Sequence, residues 1–452
     1  MDRLSIAAFR FGYGLPARPQ MASADGLLAA LSGPDLAADR WPSVTLADVM
    51  PVAAEYLRVR KAGKTGADDA TAKAALREVA GASDRLAVRG AKAALARAVG
   101  AEDQLRERLV QFWADHFTTV PRNRIERALP ATMIEEALRP NLMRPFAEML
   151  KAVVTHPAML IYLDQASSVG PGSRAGKRQN KGLNENLARE LLELHTLGVG
   201  AGYAQDDVRQ MAELLTGLTV RPGEGFVFDA RRAEPGPETV LGVTYRGEGL
   251  EPVLRALEDL AVRPETARHL AGKLAVHFVS DTPDAGLVSA LEAAWADTGG
   301  DLAAVVGALV RHDAVWVPVA GKARQPFDFV VAALRALAVG ADEIYGASDK
   351  AFLRAVLKPL ADMGQPYQQA SGPDGWPEAA AEWITPQGLA ARINWAVQVP
   401  ERLVKPLPDP RVFVMTALGD RASERLIWAV SAAESVREGV GLVLASPEFN
   451  RR

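Results

Sequence analysis

Apolar residues return every three or four positions along most of the chain, the period of a helix with one buried face. Residues 69–99 are alanine-rich with charges spaced by three and four, which predicts helix interrupted at Gly81-Ala82-Ser83. Residues 103–118 predict an amphipathic helix, and 131–151, 154–163 and 205–217 follow in the same pattern. From 250 onward the period predicts helices at 251–261, 264–279, 284–297, 301–311, 325–338, 350–360, 386–399, 411–417, 422–434 and 436–445. Two short runs, 225–229 and 239–245, read instead as strand and are separated by a Pro-Gly turn, so one small hairpin near 225–245 is expected. No repeat of fixed period is present and no Pro-rich linker marks a boundary. The expectation is an all-α protein, one large helical domain over 1–452 with a minor hairpin.

The pattern fails over residues 165–182, QASSVGPGSRAGKRQNKG, a run rich in Gly, Ser, Arg and Lys. A loop this long within a compact fold is functional or disordered. Arg174, Lys177, Arg178 and Lys181 precede a helix N-terminus, a combination that attracts anions. The loop reads either as a solvated segment or as a lid over an anionic substrate.

The helix that follows, GLNENLARELLELHTLG at 182–198, carries most of the candidate chemistry. At about 100° per residue, Asn186, Glu190, Glu193 and Leu197 share a face, Glu185 and Arg189 flank it, and His195 falls among the leucines. Two readings compete. In the first, the polar face is wet, with Glu185–Arg189 and Arg189–Glu193 pairs at i,i+4, Asn184 as N-cap and His195 a hydrogen-bonded core histidine. In the second, the face is buried. Asn186, Glu190 and Glu193 then offer two carboxylates and an amide to a divalent cation, or an acid–base pair split by burial and a nearby Arg. Glu-x-x-Glu is a common accident on a helix, and the spacing is not the HExxH of a zincin.

His116 in the sequence WADHF, His156 before a proline, and Asp164 at the end of MLIYLD each read either as structural or as site residues. Trp376 and Trp383 in a Gly/Pro loop are stacking platforms or loop pins. No G-x-S-x-G elbow, Walker A or strand-borne GxGxxG occurs.

Composition narrows the picture. Hydrophobic residues make up 48% and charged residues 24% of the 452, with a net charge of -3. That balance argues against a dedicated nucleic-acid binder. The chain has no cysteine, so thiolate ligands and thiol nucleophiles are excluded. No run long enough to span a membrane occurs, and the N-terminus has neither an apolar leader region nor a twin-arginine pair. The expectation is a cytoplasmic protein, with co-export beside a partner as the other reading.

Several phrases together extend beyond the one helix: FWADHF at 112–117, HPAMLIYLDQASSVGP, GLNENLARELLELHTLGVGAGYAQDDV, MGQPYQQASGPDGWPEAAAEW, and the ending LASPEFNRR. Across essentially the whole chain they resemble the bacterial domain of unknown function 1800 family. The resemblance carries no established activity. It implies signature positions at Trp113, His116, Phe117, His156, Asp164, Asn184, Glu185, Asn186, Arg189, Glu190, Glu193, His195, Gly364, Gln365, Trp376, Pro377 and Trp383. It also implies a gene neighbour that looks like sulfatase or alkaline phosphatase enzymes, hence a sulfatase-like partner. Two departures stand out. The chain has Ala233 and Glu238 where relatives have His and Lys, and Gln165 where they have Asn. The reading carried forward is a hydrolytic enzyme with Glu190, Glu193, His116, Asp164 and Arg189 as catalytic candidates. Asn186, Glu190 and Glu193 are the candidate ligands of a divalent metal ion. The alternative is a non-catalytic helical partner protein.

Overall fold

The computed structural model describes residues 2–64, 69–179, 182–318 and 321–452. Lys181, the last cation of the basic loop, lies outside them. The architecture is all-α with two small antiparallel hairpins. Among the described residues no helix is long and apolar enough to cross a membrane.

The predicted helices form close to where the period puts them, for example Gln104–His116, Pro264–Phe278 and Val436–Ala445. Asp103 caps the first of these, its side chain accepting from the Arg106 amide at 3.1 Å. One break does not occur. Asp69–Gly100 is a single helix through Gly81. Ser83 is buried there and donates its hydroxyl to the Ile125 carbonyl at 3.1 Å, so its polar group is satisfied without ending the helix.

The single hairpin is also corrected, because the two strand-like runs do not pair with each other. Leu218–Arg221 (β1) pairs with Gly225–Phe228 (β2), and Glu238–Val240 (β3) with Val243–Tyr245 (β4). The β3–β4 turn places Leu241 at φ 49° and Gly242 at φ 80°. Positive φ at both central residues is what a two-residue type I′ turn requires, here with Leu in a place more often held by Asn.

Two apolar clusters form the core. One gathers residues from Ile6 to Trp316, including Trp113, Phe117, Phe146 and Leu191. The other joins Phe329, Trp395, Phe413 and Phe449 to residues of the long helix such as Leu95 and Val99. Charge is buried between them. Arg139 donates to both carboxylate oxygens of Glu107 at 2.7 Å and to Asp35 at 2.6 Å, and Arg139 and Glu107 are almost fully enclosed. Removing one member of such a group strands a buried charge. Glu107→Gln is therefore expected to cost about 3 kcal/mol in urea unfolding. A loss well under about 1 kcal/mol would mean that Asp35 alone compensates Arg139.

Candidate functional site

The signature helix is shorter and less regular than a 3.6-residue wheel assumes. Asn186–Glu190 is α-helical, and Leu191–Thr196 continues as a π-turn. The Leu197 amide donates to the Leu192 carbonyl at 3.0 Å and the Thr196 hydroxyl to the Leu191 carbonyl at 2.6 Å, both five residues back. Segments of this kind recur at functional sites. The N-cap position falls to Glu185, which makes no side-chain capping bond, and Asn184, one residue earlier, accepts from the Asn186 amide at 2.8 Å through its side chain.

The end of this helix is held from outside. His116 Nε2 lies 3.2 Å from the His195 carbonyl, and His269 Nε2 lies 3.0 Å from the Leu194 carbonyl. A carbonyl only accepts, so each Nε2 carries the proton and donates. These imidazoles satisfy carbonyls that the helix end leaves free. Burial first, then the nearby Lys273 charge, drives the pKa of His116 well below the ordinary range and lowers that of His269. As a neutral imidazole, His116 keeps a bare Nδ1, and that buried atom has no partner. His195 is fully buried, as a core histidine should be, but neither ring nitrogen is hydrogen-bonded. Burial pushes its pKa down to about 3, so it stays neutral.

Glu190 and Glu193 come together. Both are half-buried. Among the described residues Glu190 has neither an ion-pair partner nor a hydrogen bond. Its pKa is raised, by burial first and then by the Glu193 charge. Arg189 does not neutralise it directly. It pairs with Glu185 at 3.1 Å and donates to Gln205 at 3.0 Å. The Arg189–Glu193 pair expected at i,i+4 is not formed.

Opposite stands a group that the sequence did not single out. His269, Lys273 and His277 lie four residues apart along the Pro264–Phe278 helix, a spacing that puts all three on one stripe. This periodic run was the available signal. Lys273 is half-buried and makes no direct ion pair among the described residues. Its pKa is lowered by burial, against the pull of Asp115, Glu378 and Asp374. The Asp374 charge also reaches Glu190 and Asp115, so these acids and Lys273 share one neighbourhood.

Asp115 is the pivot of that group. Its Oδ1 accepts the Trp376 amide at 2.8 Å. The loop approaches so closely that a Cβ on Gly375, where φ is +81°, would sit 2.5 Å from the Asp115 carbonyl oxygen. Glycine is thus required there on two counts. Burial pushes the Asp115 carboxyl up to about 7, with Glu378 and Asp374 adding to it and the Trp376 amide and Lys273 opposing it. Asp115 and Trp376 line a cleft with Thr119, Met133, Phe327 and Tyr367, and Glu190 and Glu193 are not among its walls.

The other candidates are each held by partners of their own. Asp164, in a left-handed conformation at φ 60°, is held by Arg122 through both carboxylate oxygens, and that pairing keeps its carboxyl below the usual range. Tyr162, not Asp164, feels the Glu190 charge. His156 caps the Pro157–Tyr162 helix, accepting from the Ala158 amide at 3.2 Å. Trp383 is buried and donates to the Pro377 carbonyl at 2.7 Å, 5.9 Å from the Trp376 ring, so this pair pins the loop. Gln365 is a buried bridge, accepting from the Phe327 amide at 2.8 Å and donating to Gln325 at 2.7 Å. Among the described residues no three His, Asp or Glu side chains are gathered as a metal ion would need.

The raised Asp115 pKa has a definite consequence for stability. The folded protein binds a proton at Asp115 that the unfolded chain, with a carboxyl near 3.8, has already lost. Asp115 therefore favours folding at low pH, and that contribution is lost as pH rises through about 7. Asp115→Asn should remove this part of the pH dependence, on the order of 4 kcal/mol between acid and pH 8, while keeping an acceptor for Trp376. Chemical denaturation at a series of pH values reads the slope directly. An unchanged slope in the variant would place the titration elsewhere.

The family model described as "Protein of unknown function (DUF1800)" matches residues 7–451. No curated protein and no solved structure matches the chain. The match spans nearly the whole sequence, including every element of the site just described, and the chain therefore belongs to the DUF1800 family of proteins of unknown function.

Proposed function

We propose that the chain is a hydrolytic enzyme in which Glu190 and Glu193 form the water-activating acid–base pair. The observation that carries this reading is the unmatched, half-buried Glu190 carboxyl beside Glu193. A carboxyl left without an ion-pair partner against a second acid costs stability, and such costs concentrate at functional sites. Glu190, with its raised pKa, is suited to hold and deliver a proton. Glu193, whose charge acts on the Tyr203 hydroxyl, is suited to take one from water. Lys273, close enough to feel Asp115 and Asp374, supplies positive charge for an oxyanion. His116 and His269 act as positioning residues through the helix-end carbonyls. Arg189 orients Glu185. Asn186, Glu190 and Glu193 are the proposed ligands if a divalent ion is used, and such an ion would serve the same water activation.

A second reading, a non-catalytic helical partner for a sulfatase-like protein, is favoured by what replaces the expected His and Lys. Ala233 offers no polar group in place of the His, and Glu238, in place of the Lys, is buried beside Glu213, its pKa raised to about 7 by burial first and then by the Glu213 charge.

Glu190→Gln separates the two readings, because the enzyme reading predicts opposite effects on activity and stability. Hydrolysis in a screen of chromogenic glycosides, phosphate esters and sulfate esters should fall about a hundredfold or more. Stability at pH 8 should hold or rise as the carboxylate repulsion disappears. Elemental mass spectrometry of both proteins tests the ligand set, with bound metal expected to vanish in the variant. A destabilised Glu190→Gln, with no activity or metal in either protein, would leave the partner reading.

A further inference from the structure

The basic run after Gln165 is not free over its described length. The Gly170 amide donates to the Arg232 carbonyl at 2.9 Å and the Ala175 amide to the Arg231 carbonyl at 2.9 Å. The Arg232 guanidinium donates back to the Ser168 carbonyl at 2.9 Å and to the Thr219 hydroxyl at 2.8 Å. Glycine permits the close approach, since a Cβ on Gly170 would lie 2.6 Å from the Glu234 amide nitrogen. The arm is therefore stapled to the segment between β2 and β3.

This docking brings four arginines to one concavity. Arg174 and Arg178 from the arm, and Arg231 and Arg232 from the facing segment, line a pocket of about 260 Å³ with Asp229. Asp229 is occupied by Arg231, through a two-point pair at 2.8 and 2.9 Å. Arg232 is fixed by its two bonds and is half-buried, and burial lowers its pKa. The Arg174 and Arg178 guanidinium groups have no ion-pair or hydrogen-bond partner among the described residues. Four guanidinium groups against one carboxylate repel each other unless an anion joins them. Planar forks with spare N–H donors match the oxygens of a phosphate or sulfate group. The pocket lies just below the about 300–1,000 Å³ usual for ligand sites, the scale of a small molecule.

We propose that Arg174, Arg178, Arg231 and Arg232 form a binding site for a tetrahedral oxyanion, the phosphate or sulfate group of a small molecule. The site is separate from Glu190 and Glu193 and does not rest on their role. Because the arm runs on toward Asn184, whose amide donates to Ser168 at 3.1 Å, a bound anion would also brace the entry to the signature helix.

The test is calorimetric titration of the whole protein with inorganic phosphate, inorganic sulfate, phenyl phosphate and phenyl sulfate at fixed ionic strength. The expected result is saturable binding that weakens about tenfold or more in the Arg174→Gln/Arg178→Gln double variant, whose thermal midpoint without ligand matches the parent. Equal affinity for the ions and the phenyl esters identifies the bare oxyanion as ligand, and tighter ester binding identifies a monoester. Either outcome supports the site. Unchanged affinity in the double variant overturns it. So does the lack of saturation up to the order of 10 mM, or binding of a polyanion such as heparin alone.

Discussion

The arrangement of the acids and Lys273 depends on a buried chain of charge that crosses between the two halves of the core. Arg108, fully enclosed, pairs with Asp328 at 2.7 Å, and Arg452 reaches the same carboxylate at 3.1 Å. Arg108 also lies 3.0 Å from His277 Nε2. A guanidinium can only donate, so that nitrogen must accept and Nδ1 must carry the proton. Nδ1 then donates to Glu378 at 2.5 Å, and Glu378 meets Lys322 at 2.8 Å. Glu378 lies two residues beyond Trp376, which donates to Asp115. The network thus sets the position of the loop that brings Asp374 and the Trp376 amide to the site.

Such a chain is costly to bury and is tolerated only when each member is matched. That requirement contrasts with Glu190 and Lys273, which make no direct ion pair among the described residues. The protein therefore neutralises charge closely where it needs rigidity and leaves charge loosely compensated where the signature helix faces the Pro264–Phe278 helix. This contrast, more than any one residue, separates the framework from the candidate chemistry.

The helical body was legible because a 3.6-residue period reflects burial of one face, and helix positions such as 264–279 and 386–399 follow from it. The Asn184 bond to the Asn186 amide was legible from the residue type just before the helix, though the cap position itself falls to Glu185. The pairing of Glu190 with Glu193 was legible from i,i+3 spacing. Other features depend on contacts distant in sequence and left no local trace. Nothing within WADHF says that His116 meets the His195 carbonyl 79 residues away. The π-turn after Glu190 shifts later side chains off the regular wheel, and Arg189 pairs with Glu185 but not with Glu193. The β3–β4 pairing within 225–245 left little local trace, because its Leu-Gly turn lacks the usual Asn-Gly signal.

Asp115 carries one more implication. A carboxyl that titrates at about 7 is present in both charge states at neutral pH, so the neighbourhood it shares with Lys273 and Asp374 has no fixed charge there. Any cation entering it must displace part of a proton into the buffer, and any anion must draw one in. The heat of binding at this place would therefore vary with the ionisation enthalpy of the buffer, and occupancy of the site would be coupled to proton activity without any change of shape.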